Sequence, residues 1–288
     1  VSNTSSNIKY HRPADVVAAC AILAEKPGSV VVAGGTDLIV KWKNGILPSL
    51  TDLVDLGALR LSQIVLEGTN LRIGSGCTME QVRNNPLVTA RFPTLVSATG
   101  QVGALQIRHA ATIGGNVANA SPAGDSIPAL MSLEAVVLLC GQKGQRRVPI
   151  AEFFTSPGKT VMQKGEFIEA FELPDRATKG CFFKLGERLA HAISKVSLAL
   201  STWDAGDGKR SVRIAMGAVA PKVIRATVAE RILEAEAWPP KKDILEKAVQ
   251  AAFEAATPID DVRSIKGYRK KMAGVLLERA VKSLPDAL

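Results

Sequence analysis

Val31-Val32-Ala33-Gly34-Gly35-Thr36-Asp37-Leu38 runs from an apolar, β-branched stretch straight into a glycine pair and short polar side chains. A strand ending in this way delivers consecutive backbone N–H groups to one point. Glycine has no Cβ to hold a bulky anion away, and it turns freely at positive φ. Thr112-Ile113-Gly114-Gly115-Asn116 repeats the pattern further along the chain. One glycine pair after a strand is commonly just a tight turn. Two pairs, both set among hydroxyl and amide groups, point to a ligand long enough to need two cradles, such as a dinucleotide. The first segment is neither a Walker A motif, since no Gly-Lys-Ser/Thr follows, nor the Gly-x-Gly-x-x-Gly of a Rossmann site.

Working outward, Pro13 to Lys26 reads as an amphipathic helix stopped by Pro27-Gly28, and Val30 to Ala33 as the buried strand that feeds the first segment. Leu53 to Leu56 and Leu71 to Gly74 are further strands, Thr78 to Asn84 a capped helix, and Pro93 to Val102 another helix. Ser126 to Leu133 reads as a short helix, then Ala135 to Leu139 and Phe167 to Leu173 as strands. The Pro/Asp/Lys/Gly stretch from Pro174 to Gly180 is the expected boundary. It divides residues 1–175, in two lobes of about 1–57 and 58–175, from residues 176–288. Beyond it, Cys181 to Lys184, Lys195 to Trp203 and Val212 to Val219 read as strands of an antiparallel sheet, with a turn at Asp204 to Gly208. Helices at Lys241 to Ala255 and Ser264 to Leu284 finish a mixed α+β chain.

The composition, 47% hydrophobic and 22% charged over 288 residues, is that of a globular protein with a proper core. The longest apolar runs, Ala129-Leu130-Met131 and Leu133 to Cys140, are too short or too interrupted to span a bilayer. Val1 to Lys9 is Ser/Asn-rich and has no apolar signal core, so a cytoplasmic location is expected. Cys20, Cys77, Cys140 and Cys181 are scattered, with no Cys-x-x-Cys. Iron–sulfur and zinc sites need clustered thiolates, so no metal site is expected in this chain. The net charge of +9 is dispersed apart from short clusters such as Arg146-Arg147 and Arg269-Lys270-Lys271, and aromatics make up only 5%. A subunit that holds a pyrophosphate or docks on acidic partners explains this charge as well as nucleic-acid binding would, and the few aromatics leave nucleic-acid binding unsupported.

Asp37 is expected to cap the helix from Asp37 to Trp42. Asp125 has two readings, a helix cap or an acceptor for ribityl or ribose hydroxyls.

Together with the first segment, Gln106-Ile107-Arg108-His109-Ala110-Ala111-Thr112-Ile113-Gly114-Gly115-Asn116 and Ala120-Ser121-Pro122-Ala123-Gly124-Asp125 resemble the two FAD signatures of one family. It is that of the FAD-binding medium subunits of molybdenum hydroxylases: the xanthine, carbon monoxide and nicotinate dehydrogenases. The resemblance extends through Phe153-Phe154-Thr155-Ser156-Pro157-Gly158-Lys159, Phe182-Phe183-Lys184 and Asp261-Val262-Arg263-Ser264-Ile265-Lys266-Gly267-Tyr268-Arg269.

It implies a two-lobed FAD-binding domain of the vanillyl-alcohol-oxidase type, followed by an antiparallel sheet with helices. By the same resemblance Val31, Val32, Ala33, Gly34, Gly35, Thr36, Asp37 and Leu38, with Thr112, Ile113, Gly114, Gly115 and Asn116, wrap the FAD pyrophosphate and ribityl chain. Asp125 matches a cofactor-binding aspartate, and Ile168 and Lys184 fall where the family contacts FAD from the C-terminal side. Val102 stands near the flavin ring where animal xanthine dehydrogenases have Phe. His109 departs from the usual Asn and reads as a solvent-facing or packing side chain, and Arg108 as a structural or subunit-contact cation.

The resemblance implies an electron-transfer subunit with no catalytic side chain of its own. Electrons would come from two iron–sulfur clusters in a small subunit, fed by a molybdopterin-binding large subunit, and would leave to NAD⁺, a quinone, ferredoxin or oxygen. A dimer of heterotrimers is the expected assembly. The competing reading is a stand-alone FAD oxidoreductase of the same fold, similar to UDP-N-acetylmuramate reductase. It would need a proton donor, for which Tyr268 and His191 are the few candidates.

Overall fold

A computed structural model describes residues 8–26, 28–47, 50–188, 191–206 and 209–284. The Ser/Asn-rich start, Pro27 of the expected helix stop and Asp207-Gly208 of the expected turn lie outside the described residues.

The chain begins with β1 (Lys9–His11), α1 (Val16–Glu25), β2 (Ser29–Val32), α2 (Leu38–Lys43) and β3 (Asp52–Asp55). The three strands form a parallel sheet in the order β1-β3-β2. Helix α1 starts later than its sequence pattern suggests, because Asp15 is the N-cap and its carboxylate accepts from the Ala18 N–H at 2.8 Å. Asp52 ties this sheet together: His11 Nε2 lies 2.5 Å from its carboxylate, with Thr51 Oγ1 at 2.8 Å and Lys26 Nζ at 3.3 Å. The hydrogen bond to His11, chiefly, draws the Asp52 carboxyl down from 3.8 to about 2.

A group with a depressed folded-state value stabilises the fold above its unfolded value and stops doing so as pH falls through the folded one. Asp52→Asn should therefore be less stable than wild type at neutral pH, and the gap should close between pH 3.8 and about 2. Urea denaturation at several pH values measures it. A gap that persists at pH 2 would contradict the role given to Asp52.

The middle of the chain contains β4 (Ile64–Glu67), β5 (Asn70–Gly74), α3 (Met79–Asn84), α4 (Pro86–Arg91), α5 (Pro93–Gly100), α6 (Leu105–Ala110), α7 (Ile113–Asn119) and α8 (Ser126–Ser132). It continues through β6 (Val136–Gly141), β7 (Gly144–Pro149), α9 (Ile150–Phe153), the paired β8 (Phe154–Ser156) and β9 (Lys159–Thr160), and β10 (Phe167–Pro174). Its antiparallel sheet runs β4-β5-β10-β6-β7. Leu71, Ile73, Val137, Leu139, Phe171 and Leu173 alternate onto one face and pack against Leu95, Ile113, Val117, Ile127 and Leu130. Each such side chain contributes roughly 1.5–3 kcal/mol by burial.

The second glycine pair lies in a helix: Gly114 and Gly115 form the first turn of α7, capped by Thr112. Helix α3 is capped by Thr78, as expected, in a capping box with Gln81.

The C-terminal part holds β11 (Lys179–Leu185), β12 (Val196–Gly206), β13 (Lys209–Gly217), β14 (Ile224–Arg225), α10 (Thr227–Glu234), α11 (Lys242–Ala255) and α12 (Lys266–Ser283). Its sheet is antiparallel in chain order. Leu198, Leu200, Ile214 and Met216 point toward Leu245, Leu276 and Leu277 of α11 and α12. The other face carries Ala199, Ser201 and Ala215 and packs on α5 and α8, with Ser201 Oγ 2.9 Å from Ser132 Oγ. This second contact fixes the C-terminal sheet against the helices that frame the glycine segments.

Candidate functional site

A cleft of about 680 Å³ opens between the parallel sheet and α7, within the range of small-molecule pockets. Residues 31–38 form one wall. The opposite side is built by Ser75, Gly76, Thr112, Gly114, Gly115 and Asn116, and the strand end at Phe167-Ile168 closes a third side.

Each glycine pair divides its labour. A Cβ on Gly34 would overlap the Ala110 carbonyl, so Gly34 is what allows the first segment to touch the end of α6. Gly35 has φ +69°, which favours glycine whatever the space. A Cβ on Gly114 would lie 2.5 Å from Ser75 Cβ, so that glycine serves packing. Gly115 is different: it is exposed in the cleft, and an added Cβ would meet only Thr112 Oγ1, at 2.9 Å.

The N–H groups divide as sharply. At the second segment four of the five are used internally: Ile113 donates to Cys77 O at 2.9 Å, Gly114 to Ser75 O at 2.9 Å, Gly115 to Thr112 Oγ1 at 3.0 Å and Asn116 to Thr112 O at 3.0 Å. At the first segment no described residue accepts from the N–H groups of Gly34, Gly35, Thr36 or Asp37. Four consecutive free donors around a left-handed glycine make a concavity suited to an anion. Asp37 stands at the N-cap position of α2 but makes no side-chain cap, contrary to expectation, because its backbone is already helical (φ −99°, ψ −43°). Lys26, Lys41 and Lys164 bring positive charge to the same cleft, and Lys41 Nζ reaches across to Asn119 Oδ1 at 2.5 Å. The Glu166 carboxylate in the wall is neutralised by Arg146 at 2.8 Å, and that hydrogen bond holds its carboxyl below the usual range.

All the sequence candidates line the cleft except three. Ile113 is fully buried in the core. Asp125 and Lys184 pair with each other at 2.5 Å, both buried, and Ser194 Oγ donates to Asp125 at 2.6 Å. Asp125 occupies the N-cap position of α8 without capping it. Burial pushes its carboxyl upward against the opposing pull of Lys184 and Ser194. The pair adjoins the cleft, since Lys184 Nζ also donates to the Gln101 carbonyl at 3.0 Å, next to Val102 in the wall.

His109 is exposed on α6, and Arg108 pairs with Glu80 at 3.0 Å, a structural contact between α6 and α3. Neither Tyr268 nor His191 lines the cleft. Among the described residues, no group of His, Cys, Asp and Glu is placed to hold a metal ion.

The sequence reading missed Ser75, Gly76, Lys26, Lys41, Asn119 and Lys164 as lining residues. Lys41 and Asn119 stand one helical turn beyond the two quoted segments, a signal that was present. Lys26 and Lys164 carry none, since only the tertiary fold brings them in.

Comparison with known proteins identifies the family. Residues 6–176 match the family described as the FAD binding domain in molybdopterin dehydrogenase, and residues 181–284 the CO dehydrogenase flavoprotein C-terminal domain. The chain is 32% identical to the carbon monoxide dehydrogenase medium chain of Afipia carboxidovorans over 278 residues, 94% of each chain. It is 28% identical to the xanthine dehydrogenase FAD-binding subunit of Escherichia coli O157:H7 over 277 residues, again 94% of each. The reconstituted CO dehydrogenase from Oligotropha carboxidovorans contains a chain of the same structure, with TM-score 0.90 at 30% identity over 96% of both chains. With a mixed helix-and-sheet fold like that of the CO dehydrogenase FAD subunit, this chain belongs to the FAD-binding medium subunits of the molybdenum hydroxylase family and is an FAD-containing oxidoreductase subunit.

Proposed function

We propose that the chain is the electron outlet of a heteromeric dehydrogenase, holding FAD in the cleft between residues 31–38 and α7. The observation that carries this is the row of four unpartnered N–H groups from Gly34 to Asp37, beside a cleft with three lysines. This donor set fits a pyrophosphate. On this reading Gly34, Gly35, Thr36 and Asp37 donate to it, while Thr112, Asn116 and Asn119 offer side-chain partners to the ribityl and ribose hydroxyls. Gly115 keeps the wall clear, and Val102 and Ile168 exclude water from the apolar part of the ligand. Asp125 and Lys184 set the position of Gln101-Val102 through their buried pair and so support the wall from behind.

When bound, FAD supplies the redox chemistry that joins a one-electron iron–sulfur donor to an acceptor such as NAD⁺. The donor would be a small subunit with two iron–sulfur clusters, fed by a molybdopterin-binding large subunit, in a dimer of heterotrimers. Helix α2 supports the approach of such a partner, because Ile39, Val40 and Trp42 are all exposed beside the cleft. Residues 1–175 would form the two-lobed FAD domain of the vanillyl-alcohol-oxidase type and residues 176–288 its companion. A cytoplasmic location is consistent with four free cysteines and with the lack, among the described residues, of any helix long and apolar enough to cross a membrane.

Purification of the chain with its neighbours tests the reading. The expected product is a complex containing FAD, molybdenum and iron. Isolation of this chain as an active monomer without those partners would overturn it in favour of a stand-alone flavin enzyme.

A further inference from the structure

Helix α2 borders the cleft without being packed into the protein. None of its six residues is buried, and among the described residues no other helix or strand packs closely along it. Its backbone hydrogen bonds close on themselves. The N–H groups of Ile39, Lys41, Asn44, Gly45 and Ile46 donate to the carbonyls of Gly35, Asp37, Val40, Trp42 and Lys41, all within the same stretch. Lifting that stretch away therefore breaks none of these bonds to the rest of the chain, because none exists. One side-chain hydrogen bond does tie it down among the described residues: Lys41 Nζ donates across the cleft to Asn119 Oδ1, at the C-terminal end of α7, at 2.5 Å.

Both ends of the helix can turn. Gly35 and Gly45 bracket it at φ +69° and +70°, and nothing lies within 4 Å of where a Gly45 side chain would stand. Gly34, one residue earlier, is seated on the Ala110 carbonyl and stays with the body of the protein. The division falls inside the row of free donors. Thr36 and Asp37 lie on the helix side of Gly35, and no described residue accepts from their N–H groups. A ligand that takes those donors is bonded to the movable piece as well as to the fixed one. A detached helix of six residues is far shorter than the roughly 12–15 needed to persist in water, so the stretch is ordered only while it is shut.

We propose that α2 is a lid on the cleft, hinged at Gly35 and Gly45 and latched by Lys41 on Asn119, which opens to admit the cofactor and is held shut by it. This rests on the FAD reading given above. Lys41 is then a positioning residue: it sets how often the lid opens. A single charge-assisted hydrogen bond is weak enough to break often, and its loss raises the open fraction by about tenfold.

Hydrogen exchange of the full chain, followed by mass spectrometry over Leu38 to Ile46, tests the lid. Without ligand these amides should exchange through local opening, at rates little changed by urea below the unfolding transition, while those of β6 and β10 follow global unfolding. Lys41→Met keeps the aliphatic stem and Asn119→Ala keeps the charge. Each should speed exchange of the stretch by about tenfold and leave β6 and β10 as they are. The double variant should be no faster than either, because both changes remove the same bond. Saturating FAD should slow the exchange in wild type. A stretch as slow and as urea-dependent as β10 would overturn the lid, and so would variants that exchange like wild type or whose effects add in full. FAD that binds without slowing the exchange also overturns it, and leaves the FAD reading standing. A chain that takes up no FAD sinks that reading, and the lid with it.

Discussion

Gly115→Val should yield a folded chain that no longer retains FAD. An added Cβ at this position meets only Thr112 Oγ1, at 2.9 Å, and the rest of the valine enters the cleft. Displacing the Thr112 hydroxyl costs about one helix cap, roughly 1 kcal/mol, against a total stability of about 5–15 kcal/mol. The fold therefore survives. The ligand does not fare as well, because a branched side chain now occupies space that only glycine leaves free. A loss of affinity of at least ~100-fold, about 2.7 kcal/mol, is expected. Flavin absorbance of the purified variant, compared with wild type at equal protein concentration, reads the effect. Normal flavin content would place the second segment away from the cofactor.

Its neighbour should behave in the opposite way. Gly114→Val puts a Cβ 2.5 Å from Ser75 Cβ and 2.7 Å from the Ser75 carbonyl, and Gly34→Val puts one into the Ala110 carbonyl. Backbone cannot yield as a flexible side chain does, so the penalty reaches or exceeds the upper end of ordinary overpacking, about 3 kcal/mol, or a fall of roughly 10 °C in Tm. Both variants lose the contact that sets one segment against the rest. Their FAD loss follows from damaged structure, whereas that of Gly115→Val occurs in an intact one. Thermal melts of the three variants without ligand separate the two causes. A Gly114→Val chain as stable as wild type would contradict the packing role.

The contrast also indicates what was legible in the chain. The glycine pairs, their short polar neighbours and most strands and helices could be read directly, because apolar periodicity and glycine chemistry are local. That the second pair sits inside a helix was hidden by its composition. Thr112-Ile113-Gly114-Gly115-Asn116 is a poor helix former, and only the Thr112 cap and the packing of Ile113 and Val117 hold it helical. Asp37 illustrates the converse: an aspartate ahead of an apolar run has the signature of a cap, but its backbone turns too early to cap anything.

Short elements were the other gap. β1, β4, α4 and α6 have three to six residues each, too few for periodicity to speak, and exist because neighbours complete them. The partner of Asp125 was out of reach for the same reason. Lys184 comes from β11, and only the docking of the C-terminal sheet on α5 and α8 brings the two together.

Titration of FAD into the ligand-free chain, with riboflavin as the comparison, tests the cleft most directly. Free donors from Gly34 to Asp37 should be satisfied only by a ligand with a pyrophosphate. Isothermal calorimetry should therefore record one FAD bound per chain and little or no heat from riboflavin. A chain that binds neither, or that binds riboflavin as tightly as FAD, would contradict the cradle assigned to Gly34-Gly35-Thr36-Asp37.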